Sequence, residues 1–290
     1  MILVINKISI IGGDLRLVKL AEMLVEEGAQ VATYGLENAD NVETIKCDTL
    51  KQAVDFSNII IGPIPFSSNG EIINAPFSEE KITVEDITKL LNGKILIAGS
   101  IKQEVYQIAS ENNVQIIDIL KREELSVLNA ISTAEGAIKI AIEETPKNLH
   151  GSNILVLGFG RIGKVLSHML TGIGAKVACE ARKNSDLAWI KAYGYEPIPL
   201  VELKENLEKF DVIINTIPYM VLDRDALDNV KKDALVIDLA SNPGGVDKVA
   251  IKEKQIKFIW ALSLPGKISP VTSAEFIKET LYNVVKEIDI

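Results

Sequence analysis

Histidine is almost absent from this 290-residue chain: His150 and His168 are the only two. Neither lies in an HExxH string and no GxSxG occurs, so metalloprotease and serine-hydrolase chemistry are excluded. Oxidoreductases that keep a catalytic histidine late in the cofactor domain are excluded too, because none follows residue 168. Those with one in the first domain also fail, because none precedes residue 150. Cysteine is equally scarce, with Cys47 and Cys179 far apart. No disulfide framework or thiolate metal site is expected, and a reducing cytoplasm is the simple reading. Positive charge is in the minority: 31 Lys and Arg against 40 Asp and Glu give a net charge of -9. Nucleic acid and anionic membrane need clustered positive charge, so neither is an expected partner. No consecutive apolar run reaches bilayer-spanning length, and no membrane association is expected. The opening MILVINKISIIGGD lacks a charged n-region and a cleavage site, and reads as a strand rather than a signal peptide.

What is present is alternation. Short apolar runs at Ile8–Ile11, Val31–Tyr34, Asn58–Gly62, Lys94–Ala98 and Val114–Ile119 are separated by helix-like segments Leu15–Gly28, Leu50–Phe56, Val84–Leu91 and Lys102–Asn112. A second series has strands at Ile154–Leu157, Lys176–Cys179, Asp211–Asn215, Ala234–Asp238 and Lys257–Trp260, with an edge strand at Tyr195–Pro199. Strand and helix in alternation predict βαβ units, and runs apolar on both faces predict parallel sheets covered on both sides. The expected fold is α/β, with two doubly wound domains: a flavodoxin-like N-terminal domain and a Rossmann dinucleotide-binding domain. The expected boundaries are 1–122, a bridging helix at 123–146 and 147–271, with helix 272–290 returning to the first domain. The bridge carries an apolar stripe at three- and four-residue spacing and stops at Pro146.

The sharpest local signal is Gly158-Phe159-Gly160-Arg161-Ile162-Gly163, which follows a strand and opens a helix. In that context Gly158 serves the tight turn, Gly160 lets backbone approach a pyrophosphate and Gly163 lets helix lie on sheet. N–H groups at the helix start then hold the phosphates. The same residues nearly spell a P-loop, Gly158-x4-Gly163-Lys164, but Val165 stands where magnesium needs Ser or Thr. At the end of the second strand, Ala181 occupies the position of the ribose-binding acid, with Arg182 and Lys183 after it. Loss of the acid and gain of cations favour NADP. A strand ending one residue earlier would make Glu180 the ribose acid and favour NAD.

Three later strand ends add small, polar or Pro residues where a flat cofactor would lie: Thr216-Ile217-Pro218, Ala240-Ser241 and Pro265, the last read as part of a loop. In the first domain, Gly12-Gly13-Asp14-Leu15-Arg16 is a second strand–glycine–helix turn. There Asp14 suits a helix cap and Arg16 a carboxylate clamp. On the bridge, Ser132, Thr133 and Glu135 cluster near one turn, pointing either to ligand contact at a helix N-terminus or to a surface-facing turn.

In order along the chain, Gly12-Gly13-Asp14-x-Arg16, Asn129–Gly136, His150-Gly151-Ser152, Gly158–Gly163, Ala181-Arg182, Asn215–Pro218, Asp238–Gly245 and Leu264-Pro265-Gly266-Lys267 resemble the A subunit of dipicolinate synthase from spore-forming bacteria. The resemblance is most specific after residue 128 and weakest around Ser67–Phe77. It implies formation of pyridine-2,6-dicarboxylate from hydroxy-tetrahydrodipicolinate, a lysine-pathway intermediate, in the cytoplasm of a sporulating mother cell. It also implies a nicotinamide cofactor taking hydride, and a flavoprotein-like B subunit. A homo-oligomer is expected. Arg16, Ser132, Thr133 and Lys267 are then expected to hold the substrate carboxylates, with Lys267, Glu135 and Asp238 the candidates for catalysis. Two alternatives stay open: a stand-alone dehydrogenase like alanine dehydrogenase or adenosylhomocysteinase, and a non-catalytic cofactor-binding scaffold.

Overall fold

The computed structural model describes residues 5–39 and 43–288. By contacts the chain divides into two units: Met1–Leu128 with Ser269–Ile290, and Asn129–Ile268. The first break falls inside the long helix, not at either of its ends.

In the first unit, β1 (Lys7–Ile11), α1 (Leu15–Glu26), β2 (Gln30–Tyr34), β3 (Ile45–Lys46), α2 (Leu50–Phe56), β4 (Ile59–Ile61), α3 (Val84–Leu90), β5 (Ile95–Ala98), α4 (Gln103–Glu111) and β6 (Gln115–Asp118) precede α5 (Glu123–Glu144). All strands are parallel, in the order β3-β2-β1-β4-β5-β6. Without the two-residue edge strand β3 this is the 2-1-3-4-5 order of flavodoxin-like sheets; with it the order becomes that of a full Rossmann sheet. β3 escaped the sequence reading because it is short and exposed, with no apolar run.

The second unit runs β7 (Asn153–Leu157), α6 (Arg161–Gly172), β8 (Lys176–Ala181), α7 (Asn184–Ala192), β9 (Glu196–Pro199), α8 (Leu203–Asn206), β10 (Val212–Asn215), α9 (Arg224–Leu227), β11 (Leu235–Asp238), α10 (Lys248–Glu253), β12 (Lys257–Trp260) and α11 (Leu264–Ile268). Its sheet is again parallel, β12-β11-β10-β7-β8-β9. Central strands such as β7, β10 and β11 bury residues on both faces, which explains their unbroken Val/Ile/Leu content.

The last helix, α12 (Pro270–Glu287), belongs to the first unit. Ala274, Ile277, Leu281, Val284 and Val285 enter the same core as Leu17, Leu20 and Leu24 of α1. Tyr282 donates to Glu27 at 2.5 Å, Lys278 pairs with the same carboxylate, and Arg122 forks onto Glu287 at 2.6 Å.

One expectation needs correction here. By length and composition α5 is apolar enough to cross a bilayer. Counting only consecutive apolar residues passed over it, because Glu135 and Lys139 interrupt its centre. Its apolar residues have protein partners: Leu125 enters the first unit's core, and Ala134, Ala137 and Ala141 enter the second's.

Candidate functional site

The second unit builds its site where β7 meets α6. Gly158 has φ +90°, and a Cβ there would stand 2.7 Å from the Thr216 hydroxyl and 2.8 Å from Ile217. Only glycine satisfies both constraints. At Gly163 a Cβ would lie 2.1 Å from the Gly158 carbonyl oxygen, so its absence lets α6 rest on the turn. Gly160 is the opposite case, since nothing lies within 4 Å of the Cβ it lacks. It caps α6 without any side-chain hydrogen bond, leaving an open cradle against the helix's first turn. Those are the features a dinucleotide pyrophosphate needs. Phe159 turns inward, edge-on to Tyr195 with ring centroids 6.4 Å apart, so its contribution to the cradle comes from its backbone.

A cavity of about 240 Å³ opens beside the turn, lined by Gly158, Gly160, Ala181, Arg182, Lys183 and Ile217, together with Glu180 and Asp186. Ligand pockets usually run from roughly 300 to 1,000 Å³, so this one suits a single end of a dinucleotide. Larger hollows in the first unit contain none of the expected site residues. Arg182 and Lys183 are exposed at the rim. The strand expected to stop at Cys179 continues to Ala181, because β9 pairs with it as far as Pro199. Ala181 is therefore the strand's last residue and Glu180 its penultimate one. Glu180 is buried with neither carboxyl oxygen hydrogen-bonded. Burial pushes its carboxyl up from the ordinary range, and the Gly158 amide and the Arg182 guanidinium oppose this only in part. The Gly158 N–H is itself spent on Glu180's main-chain carbonyl at 3.2 Å.

The loops after β10 and β11 are tied together by side chains. Asn215 Nδ2 donates to Asp238 Oδ1 at 2.8 Å, and the Ala240 N–H donates to the same oxygen at 3.0 Å. The Gly245 N–H donates to Asp238 Oδ2 at 2.8 Å. Asn215 also bonds both the carbonyl and the N–H of Ile217, and Thr216 donates from its hydroxyl to the Leu157 carbonyl at 2.8 Å. Asp238 is fully buried with both oxygens committed, so it positions Ala240 and Ser241 rather than transferring protons. Ser241 and Pro218 are exposed at their loop tips. Sequence reasoning missed the Asn215–Asp238 link, although two polar residues ending adjacent apolar strands were its visible signal.

Other expected residues are placed differently from their sequence reading. Pro265 and Lys267 lie not in a loop but on the short helix α11, with Lys267 exposed. Leu264 and Ile268 of that helix pack on Gly136, where a Cβ would come within 3.1–3.2 Å of them. Ser132 and Thr133 lie in the middle of α5, not at its N-terminus. Ser132 is buried, and Thr133 donates back to the Asn129 carbonyl at 2.8 Å. Glu135 is exposed. In the first unit, Asp14 caps α1, accepting the Arg16 N–H at 3.1 Å. Its carboxylate also takes Arg16 Nε at 2.9 Å and Nη2 at 2.7 Å, and Nη2 donates to the Ile64 carbonyl. Arg16 is thus a buried, pre-oriented cation rather than a loose surface clamp.

Comparison with known proteins gives two family matches. Residues 7–120 match the N-terminal domain of the dipicolinate synthase A subunit, and residues 128–253 match the NAD-binding domain of D-isomer specific 2-hydroxyacid dehydrogenases. The dipicolinate synthase A subunit of Bacillus subtilis (strain 168) is 30% identical over 286 residues, 97% of this chain and 96% of that one. The crystal structure of the dipicolinate synthase A subunit from Bacillus halodurans superposes with a TM-score of 0.89 at 30% identity, covering 97% of each chain. Shikimate dehydrogenase (NADP(+)) of Methanococcus maripaludis is 30% identical over 150 residues, 46% of this chain and 53% of that one.

Proposed function

The chain belongs to the family of dipicolinate synthase A subunits, and from that premise we propose that it carries out the NADP-linked step forming pyridine-2,6-dicarboxylate, together with a flavoprotein-like second subunit. Its dinucleotide-binding domain is of dehydrogenase type, which makes it an oxidoreductase subunit. The observation that carries the reading is the Gly158–Gly163 turn, whose glycines are required for conformation at 158, for an open cradle at 160 and for close packing at 163.

The overall change starts from a hydroxy-tetrahydrodipicolinate. Loss of water breaks the bond from a ring carbon to its hydroxyl and the C–H bond of the neighbouring carbon, whose proton leaves with the hydroxyl. Oxidation then removes a ring hydrogen as hydride and passes a proton to a base, and the ring becomes aromatic. Bound at the turn, the dinucleotide supplies the hydride acceptor. The protein's share is holding and orienting. Gly160 and the first turn of α6 accept the pyrophosphate, and the Thr216-Ile217-Pro218 and Ala240-Ser241 loops are held by Asn215 and Asp238 for the flat ring. Arg182 and Lys183 face a 2′-phosphate. For the substrate, Lys267 offers an exposed ammonium. Arg16 keeps Nη1 for a carboxylate, because Nε and Nη2 are held by Asp14 and Ile64. Thr133, whose hydroxyl proton is held by the Asn129 carbonyl, would have to turn its hydroxyl to donate to a substrate carboxylate, and Ser132 is buried beside it in the chain. Glu135, exposed on α5, is the carboxylate available to carry the proton, and Asp238 is a positioning residue. Cytoplasmic location and self-association belong to the same reading.

The test is dipicolinate formation with the second subunit present, followed by ring absorbance, for wild type and for Arg182→Ala, Arg16→Ala and Lys267→Ala. Arg182→Ala should raise KM for NADP at least tenfold with little change for NAD. The other two should raise KM for the dicarboxylate substrate. Wild-type kinetics in all three variants would overturn the placement, and no turnover by wild type with either cofactor would overturn the function.

A further inference from the structure

Among the described residues, Glu180 is the one buried carboxylate whose side-chain oxygens both lack a hydrogen-bond partner. Side chains alternate along a strand, so Glu180 points to the opposite face from Cys179 and Ala181. It is 1% exposed, yet it helps line the cavity beside the glycine turn together with Ala181, Arg182 and Ile217. A buried polar group without a partner is costly, and such groups in folded proteins call for a specific explanation. The nearby Gly158 amide bonds the Glu180 main-chain carbonyl at 3.2 Å and offsets the burial of the carboxyl only in part. The position where a ribose-binding acid would stand holds Ala181, so the strand's carboxyl at the cavity is displaced by one residue and onto the other face, with Asp186 of α7 the second carboxyl in the lining.

The two nicotinamide dinucleotides differ only at the adenosine 2′ position. A 2′-hydroxyl donates a hydrogen bond and suits a carboxylate. A 2′-phosphate is anionic and only accepts, so it suits the Arg182 cation and a carboxyl that has kept its proton. Given the reading that this turn binds a dinucleotide, we propose that Glu180 sets cofactor preference through its proton: protonated, it admits a 2′-phosphate beside Arg182, and ionised, it selects a 2′-hydroxyl. The charged groups around it are Arg182 and Lys183 at the strand end and Asp186 on α7. The facing positions on β7 and β9, Leu157 and Ile198, carry none. A phosphate monoester has its second ionisation near pH 6, and its growing charge would strengthen NADP binding as pH rises, opposite in sign to the effect proposed. Burial raises the Glu180 carboxyl from its ordinary range, the direction that favours the protonated form.

The experiment is calorimetric titration of the full chain with NADP and with NAD at pH 6.5 and 8.5, for wild type, Glu180→Gln and Glu180→Leu. For wild type, the affinity ratio of NADP to NAD should fall at least tenfold between the two pH values. NAD binding near neutrality should release a proton, read as a binding heat that depends on the buffer's ionisation enthalpy. In Glu180→Gln the ratio should stay at its low-pH value and the buffer dependence should vanish. Glu180→Leu supplies the same comparison with no polar atom at all, should the amide variant misfold. A wild-type ratio that is flat across this range, or a slope retained by both variants, overturns the role of Glu180 while leaving dinucleotide binding intact. Failure of wild type to bind either cofactor at either pH overturns the dinucleotide reading, and the assignment of Glu180 with it.

Discussion

Gly160 and Gly163, on the same turn of helix, should fail in opposite ways when they acquire side chains. Gly160 has an extended backbone, φ −83° and ψ −158°, which valine adopts readily, and no atom lies within 4 Å of its missing Cβ. Gly160→Val should therefore cost the fold only the cap preference of glycine over valine, about 1 kcal/mol or less. The branched side chain would fill the space reserved for pyrophosphate. At Gly163 the missing Cβ would lie 2.1 Å from a main-chain oxygen, which has no rotamer with which to move aside. Gly163→Ala should cost about 1–3 kcal/mol of overpacking, offset by at most about 1 kcal/mol of helix propensity. At roughly 2–4 °C of Tm per kcal/mol for a protein of this size, the melt should drop by several degrees. The assay is thermal denaturation with and without NADP. At a hundredfold excess over Kd, ligand stabilises by about 2.7 kcal/mol, so wild type should melt roughly 5–11 °C higher when loaded. Gly160→Val should melt close to wild type when empty and show no upward shift with ligand. Gly163→Ala should melt lower from the outset. A normal ligand shift in Gly160→Val, or an unchanged empty melt in Gly163→Ala, would refute the assignment of these two positions.

Asp238→Asn should lose about 1.5–3 kcal/mol in urea denaturation, because an amide group would face one of the three donors now held by Asn215, Ala240 and Gly245; an unchanged midpoint would show that the loops do not depend on it. Asp211 is lowered from 3.8: burial raises it, but the Asn153 N–H and the Lys147 and Lys231 ammonium groups outweigh burial. Its stabilising contribution is present above the unfolded value and is lost as pH falls through the folded one, so acid melts below about pH 4 should be shallower for Asp211→Asn than for wild type. Leu281→Ala should destabilise the first unit by about 2–5 kcal/mol, since Leu281 is 1% exposed in the core shared by α12 and α1; a tryptic or calorimetric transition unmoved by the change would contradict that packing.

Strand runs and the glycine fingerprint are readable because each follows from local chemistry. Unbroken Val/Ile/Leu runs mean strands buried on both faces, and the Gly158–Gly163 spacing means a strand–turn–helix cradle. What escapes depends on partners distant in sequence. β3 exists because Ile45 and Lys46 pair with Ala32 and Thr33 of β2, distant in sequence, with no apolar signature of its own. Leu264–Ile268 reads as a turn from Pro265 and Gly266, yet is helical where it packs on Gly136. Asp238 reads as a free strand-end acid until its three donors are seen, and Arg16 as a free clamp until Asp14 and Ile64 are. Glu180 reads only as a possible ribose acid, since burial of a charged side chain leaves no mark in composition.

The return of α12 to the first unit sets an order of assembly. Residues 129–268 are one uninterrupted stretch and can close their sheet as soon as they are made. The first unit cannot, because part of its core is encoded beyond residue 269. At 5–20 residues per second, the 140 residues in between delay that helix by roughly 7–28 s. Throughout that interval the face of α1 bearing Leu17, Leu20 and Leu24 is left without its covering helix. During synthesis, then, the half of the molecule that starts first is the half that finishes last.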